Sequence, residues 1–199
     1  EQTREVVTGP RGLLETARPE TVVAICASVH PNTCRELAAI ASESKVHVID
    51  VALVGGARYA KTAALTLLCG GPDEIIEYCD PVFRAFALNV CHVGDVGAGQ
   101  VGKTVNNILL WAAIRADVEA LRLGRAFGVS PSRLRAAVAI GSGSNRVLLE
   151  WAQQGLRWPE KDLAAALAMA EEAGMSMPLV EELARQMAEL SVEDLQDLR

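Results

Sequence analysis

The first half of the chain alternates between short apolar runs and stretches with helical spacing. Runs of β-branched and other apolar residues predict four strands, and the segments between them predict two helices. The predicted strands are Thr21–Cys26, Val46–Val51, Leu65–Cys69 and Asn89–Val93, and the predicted helices are Cys34–Ser42 and Glu74–Ala87. Asn32 or Thr33 is the expected N-cap of the first helix. Short strands that alternate with helices indicate an α/β layer.

The second half carries helical patterns only. A long run without proline extends from Val101 to Phe127 and ends at Gly128, as a helix commonly does. Further helices are predicted from Ser130 to Ile140, over Asn145–Gln154, over Lys161–Ala173 and over Pro178–Leu190. The change of pattern near Gly94 to Gly99 predicts an α/β domain over residues 1–96. An all-helical domain is expected over residues 97–199, beginning with a long interdomain helix.

Composition restricts the class of protein. Half of the 199 residues are hydrophobic and the net charge is −6, which is typical of a soluble globular protein without a nucleic-acid partner. No apolar stretch approaches the roughly 20 residues of a membrane span, so no membrane partner is expected. The five cysteines form no CxxC pair, and we expect them to be reduced core residues of a cytoplasmic protein. The three isolated histidines lack metal-ligand spacing, so no metal site is expected.

A glycine-rich motif stands between the last predicted strand and the long predicted helix. Residues 97–102 read GAGQVG, a formal match to the GxGxxG fingerprint of dinucleotide-binding loops. That fingerprint belongs to a βαβ unit whose second strand ends in an acidic residue, whereas this chain stays helical through Phe127. The context therefore argues against a dinucleotide loop at this motif.

Three polar residues follow the motif at helical spacing. Lys103, Asn106 and Asn107 stand at positions i, i+3 and i+4, so they share one face of the predicted helix. An ammonium and two carboxamides suit a bound hydroxyl group, with the lysine as an acid/base and a carboxamide orienting the substrate. A solvated lysine beside an asparagine pair that caps a helix or lines a domain interface fits the spacing equally well. Spacing alone leaves both interpretations open.

Four motifs in the same order resemble those of the β-hydroxyacid dehydrogenases, the family of 3-hydroxyisobutyrate dehydrogenase and its phosphogluconate and tartronate-semialdehyde relatives. The motifs are ASVHP at 27–31, DVALVGGA at 50–57, GAGQVGKTVNN at 97–107 and KDL at 161–163. The resemblance extends over essentially the whole chain. It implies a partial Rossmann-type, doubly wound α/β sheet followed by an all-α domain.

The resemblance also implies an activity and a set of site residues. The protein would transfer a hydride between NAD or NADP and a small β-hydroxyacid, with Lys103 as the acid/base on the substrate hydroxyl. Asn107 would bind the substrate beside Asn106, and the backbone N–H groups of Gly55 and Gly56 would bind its carboxylate. Ser28 would lie near the nicotinamide. Lys161 would reach the active site from the helical domain, helped into place by Asp162, and the long helix would support a homodimer.

Two departures from the family pattern qualify these expectations. Val54 stands where the family usually has a serine that binds the substrate carboxylate, so the particular hydroxyacid is left open. The strand and GxGxxG turn with which the family normally begins have no counterpart before Glu1, and they hold the residue that selects NAD or NADP. A non-catalytic dimeric binding or assembly module that retains the dehydrogenase fold is the alternative. An imine reductase is a third, which the presence of Lys103 disfavours.

Overall fold

Four strands form a single sheet in the computed structural model, which describes all 199 residues. The strands are β1 (Val22–Ile25), β2 (His47–Val54), β3 (Leu65–Gly70) and β4 (Ala87–Gly94), and they lie in the order β1-β2-β3-β4. β1 pairs with β2 and β3 with β4 in parallel, whereas β2 and β3 are antiparallel. Residues 55–64 alone connect β2 to β3, and a parallel crossover needs a longer connection.

Eleven α-helices accompany the sheet. They are α1 (Gln2–Thr8), α2 (Leu13–Thr16), α3 (Pro31–Ser42), α4 (Gly56–Lys61), α5 (Asp73–Phe83), α6 (Ala98–Ala126), α7 (Pro131–Val138), α8 (Arg146–Leu149), α9 (Pro159–Glu172), α10 (Pro178–Ala188) and α11 (Val192–Gln196), and a 3₁₀ turn spans Trp151–Gln153. The predicted fold class, an α/β sheet of partial Rossmann type followed by helices, is confirmed.

Several local predictions are wrong. α3 begins at Pro31 and its N-cap is His30, whose Nδ1 accepts from the backbone N–H of Asn32 at 3.3 Å, so neither Asn32 nor Thr33 is the cap. Proline is favoured in the first turn because its missing N–H leaves no donor unsatisfied there. The single helix predicted over Asn145–Gln154 is α8 followed by the 3₁₀ turn. The short helices α1, α2, α4 and α11 were not predicted, because each is too short to show helical periodicity.

The chain forms two compact units, Glu1–Thr104 and Val105–Arg199. In the first unit, apolar side chains of the strands pack against α5 and, in a separate cluster, against α1 and α3. The second unit has one core, in which Ile114, Val118, Leu163 and Met187 from α6, α9 and α10 are almost completely buried. None of the helices combines the length and apolar character needed to cross a membrane.

The cysteines only partly follow the expectation that they belong to the core. All five are free thiols, but Cys26 and Cys91 are exposed and only Cys34 and Cys69 are buried. Burial raises the pKa of both buried thiols to about 12, and the nearby Asp50 carboxylate adds to the shift. These two side chains therefore pack as neutral apolar groups.

Candidate active site

A buried carboxylate anchors the start of α6 to the sheet. Asp50, in the middle of β2, is fully buried, and its two oxygens accept from the backbone N–H groups of Gly97 at 2.5 Å and Gln100 at 2.8 Å. Burial raises the pKa of the Asp50 carboxyl above its usual value, and hydrogen bonds from Gly97 and Gln100 oppose that rise. Because the first N–H groups of a helix have no partners within the helix, Asp50 caps α6 from the sheet.

The glycines of the GAGQVG motif serve this close approach of helix and sheet. A Cβ atom at Gly99 would overlap the carbonyl oxygen of Leu68 and lie 2.8 Å from Oδ2 of Asp50. A Cβ atom at Gly102 would lie 3.1 Å from the side chain of Leu68, and Gly97 has a φ of +95° that favours glycine. The space beside the motif is thus filled by the protein itself. The expectation that GAGQVG is not a dinucleotide loop stays a prediction, with which this close packing is consistent.

The path of α6 carries Lys103 toward the end of β2. Ala98 lies at the level of Gly70, and Gly102 lies against Leu68, two residues earlier in the antiparallel strand β3. Gly70 pairs with Asp50, and Leu68 pairs with Ala52. The first turns of α6 therefore run in the direction in which β2 proceeds toward Val54. Lys103 is half-buried and follows Gly102 directly.

The backbone beyond β2 is exposed at two consecutive glycines, with open space beside Gly56 and the Tyr59 side chain beside Gly55. Val54 is the last residue of the strand, and Gly55 and Gly56 have φ values of +114° and +72°. No atom lies within 4 Å of the position that a Cβ would take at Gly56, and both glycines are exposed. Such backbone can be approached closely by a ligand. Val54 offers no hydroxyl group.

Ser28 lies in the loop between β1 and α3. The loop is tied to α6 by the side chain of Gln100, which donates to the carbonyl oxygen of Ala27 at 2.9 Å and accepts from the N–H of Val29 at 3.2 Å. Ser28, between these two residues, is exposed. The structure thus connects the loop of Ser28, the middle of β2 and the helix turn before Lys103.

The other predicted site residues lie in the second unit. Asn106 and Asn107 are half-buried, and Nδ2 of Asn106 donates to Oδ1 of Asn107 at 3.1 Å. Lys161 is exposed in the first turn of α9. Its neighbour Asp162 accepts from Nε1 of Trp111 at 3.1 Å, which links the start of α9 to α6.

The exposed loop after β1 is the part of the first unit where a cofactor could approach the sheet. Ligands of open α/β sheets bind beyond the carboxyl ends of the strands, and the exposed backbone from Cys26 to Ser28 occupies that position after β1. The GAGQVG motif, in contrast, packs closely against Leu68 and Asp50 at Gly99. Ser28 and its neighbours are the residues of this unit that could contact such a cofactor.

Sequence reasoning assigned no role to two residues that organise this site, Asp50 and Gln100. Asp50 is the single charged residue in the otherwise apolar run VIDVALV, and a lone carboxylate in a buried strand signals a buried polar contact. Gln100 stands at a variable position of the glycine motif, where no pattern distinguishes it from a solvated side chain.

Two family models together match almost the entire chain. Residues 1–94 match the NAD-binding domain of 6-phosphogluconate dehydrogenase. Residues 97–198 match the model described as NAD-binding of NADP-dependent 3-hydroxyisobutyrate dehydrogenase. The fold and these matches define an oxidoreductase class with a nicotinamide cofactor, so the expected cofactor, NAD or NADP, is confirmed at the level of the family.

Curated relatives agree with the family models. The chain is 28% identical over 185 residues to 2-(hydroxymethyl)glutarate dehydrogenase of Eubacterium barkeri, covering 87% of this chain and 62% of that protein. It is 32% identical over 188 residues to 3-hydroxyisobutyrate dehydrogenase of Pseudomonas aeruginosa, covering 86% and 63%. The chain therefore spans slightly less than two thirds of the length of these relatives.

A solved structure shows the same fold. The 3-hydroxyisobutyrate dehydrogenase of Mycobacterium tuberculosis, determined with L-serine, matches with a TM-score of 0.80 and 24% identity over 94% of this chain and 72% of that chain. The chain belongs to the β-hydroxyacid dehydrogenase family.

Proposed function

We propose that the protein oxidises a small β-hydroxyacid with NAD or NADP and that Lys103 is its catalytic acid/base. The observation that carries this proposal is the placement of Lys103 on α6. The helix start is fixed to Asp50, and its first turns run in the direction in which β2 proceeds toward the exposed backbone of Gly55 and Gly56. A lysine on this anchored turn would meet the requirement that an acid/base be positioned before it transfers a proton.

The reaction consists of a proton transfer and a hydride transfer. The amine of Lys103 accepts the proton of the substrate hydroxyl, while the C–H electron pair of the same carbon leaves as hydride and a C=O bond forms. The bound cofactor supplies the acceptor for that hydride. The product is a semialdehyde or keto acid, and the ammonium of Lys103 then releases its proton to solvent.

The remaining residues bind and orient. The N–H groups of Gly55 and Gly56 would donate to the substrate carboxylate, for which their exposed backbone is suited. With no hydroxyl, Val54 would contribute only apolar contact, which favours substrates whose carboxylate relies on the backbone alone. Ser28 would contact the nicotinamide end of the cofactor. The roles of Asn106 and Asn107 in substrate binding and of Lys161 at the cofactor rest on the family resemblance.

The organisation expected from the sequence forms part of the same proposal. Residues 1–96 would belong to the dinucleotide-binding domain and residues 97–199 to a substrate and dimerisation domain. Leu109, Leu123 and Phe127, on and just after α6, are 62–80% exposed, which supports a second copy of the chain as a partner. Light scattering after size exclusion should give twice the monomer mass.

Turnover of a chosen substrate panel tests the activity. We would follow NADH or NADPH formation by the protein as its gene encodes it, with 3-hydroxyisobutyrate, 2-(hydroxymethyl)glutarate and L-serine. 2-Hydroxybutyrate is an isomer of 3-hydroxyisobutyrate with the hydroxyl on the α carbon, and isobutanol has a methyl group in place of the carboxylate, so both are matched controls. The proposal predicts turnover of at least one β-hydroxyacid and of neither control. Binding of NAD or NADP without turnover of any β-hydroxyacid would contradict it.

A further inference from the structure

The side chain of Gln100 is bonded at both ends of its carboxamide. It is 3% exposed, its Nε2 donates to the carbonyl oxygen of Ala27, and its Oε1 accepts from the N–H of Val29. These two partners flank Ser28. The carboxamide thus bonds to a carbonyl oxygen and to an N–H group of the loop, which are the backbone groups that pair between neighbouring strands. The carboxamide of glutamine both donates and accepts without carrying a charge at any pH of the test.

The backbone of Gln100 is fixed from the other side. Its N–H donates to Oδ2 of Asp50 at 2.8 Å, and the second oxygen of that carboxylate holds Gly97. Gln100 therefore has little freedom to move relative to β2. Lys103 follows three residues later, and residues three apart lie on the same side of a helix. The hydrogen bonds of Gln100 thus join the loop of Ser28 to the helix face that carries Lys103.

We propose that Gln100 is a positioning residue, which holds Ser28 in register with Lys103 so that the cofactor and the acid/base meet the same substrate carbon. This inference rests on the proposed dehydrogenase function. The geometric demand of such a reaction is severe, because misplacement by about 1 Å reduces rates by up to about 100-fold. A loop fixed by two hydrogen bonds to the helix of the acid/base meets that demand.

Gln100→Glu and Gln100→Met separate positioning from packing. In Gln100→Glu at neutral pH the carboxylate still accepts from Val29 but places an oxygen against the carbonyl of Ala27, whereas the protonated acid restores the donor. We expect kcat/KM of Gln100→Glu to be about 10- to 100-fold below wild type at pH 8 and to recover at least about threefold relative to wild type at pH 5.5. Gln100→Met loses both hydrogen bonds, so its deficit should be the same at both pH values.

A structural measurement accompanies the kinetics. Amide hydrogen exchange at Val29 should become faster in Gln100→Met and, at pH 8, remain slow in Gln100→Glu, which retains the acceptor. Gln196→Met, at an exposed position of α11, is the matched control and should change neither exchange nor kcat/KM.

The outcomes separate this inference from the function on which it rests. If wild type is active and kcat/KM of both Gln100 variants stays within twofold of wild type at both pH values, the positioning role is wrong. The dehydrogenase proposal would then still stand. A deficit in Gln100→Glu that does not change with pH would also overturn the positioning role, since the loss would then come from packing. A wild-type protein that oxidises no β-hydroxyacid would overturn both proposals, whatever the exchange at Val29.

Discussion

Two buried aspartates, Asp50 and Asp117, differ in the hydrogen bonds that their carboxylates accept. Asp50 has backbone donors for both oxygens, which compensate in part for the burial of its charge. Asp117, in α6, is 8% exposed and accepts from Nδ2 of Asn145 through Oδ1, while its Oδ2 is buried without a partner. Burial raises the pKa of the Asp117 carboxyl, and the hydrogen bond from Asn145 opposes the rise only in part.

Asp117→Asn should therefore change the dependence of stability on pH. A carboxyl group whose pKa is raised on folding binds its proton more tightly in the folded state than in the unfolded state. The free energy of unfolding therefore falls as pH rises above about 4, where the carboxyl of the unfolded chain ionises. We expect Asp117→Asn to raise the free energy of unfolding by about 1 kcal/mol at pH 8 and by less at pH 5. Urea titrations at both pH values measure the difference.

The control for this prediction is Asp197→Asn, at an exposed position just after α11. Its effect on the free energy of unfolding should be small at both pH values, because the substitution removes no buried charge. An Asp117→Asn effect that is equal at pH 5 and pH 8 would show that the carboxylate is not destabilising when it ionises.

At the scale of elements, the start of α6 depends on the absence of side chains. Alanine is a better helix former than glycine by about 1 kcal/mol, so propensity alone predicts that Gly99→Ala stabilises the protein. The overlap with the carbonyl of Leu68 and the contact with Asp50 predict the opposite. We expect Gly99→Ala to lower the free energy of unfolding by about 1–3 kcal/mol, the range of overpacked cores.

Gly102→Ala, one turn later in the same helix, is the internal comparison. Its Cβ would meet only the flexible end of the Leu68 side chain at 3.1 Å, so its effect on thermal or urea unfolding should be much smaller. Equal effects of the two substitutions would mean that helix and sheet are less closely packed at Gly99 than the structure has them.

The elements differ in how far the sequence determines them. The four strands and α6 were predicted because long apolar or periodic runs express burial directly. The antiparallel pairing of β2 and β3 was not predicted. The apolar pattern of a buried strand is the same for both strand directions, and only the short connection over 55–64 determines the direction of β3. The short helix α4, with the sequence GARYAK, shows no apolar periodicity and was missed for that reason.

At the scale of the whole molecule, the chain forms two units, and the candidate site residues are distributed over both. Ser28, Val54, Gly55, Gly56 and Lys103 belong to the first unit, whereas Asn106, Asn107 and Lys161 belong to the second. These residues could be proposed from the sequence, because they stand in short motifs that resemble those of the family. The lone charge of Asp50 in an apolar run signals a buried polar contact, whereas the contacts of Gln100 could be recognised only in three dimensions.

The most direct test of the account is the rate of β-hydroxyacid oxidation by Lys103→Ala, measured beside wild type and Lys45→Ala, which removes an exposed lysine from a turn. Positioned acid/base groups contribute about 10²- to 10⁴-fold to a rate. We predict that kcat falls by that factor in Lys103→Ala, that cofactor binding by calorimetry is retained, and that Lys45→Ala equals wild type. A Lys103→Ala enzyme within a few-fold of wild-type kcat would contradict the assignment of Lys103 as the catalytic acid/base.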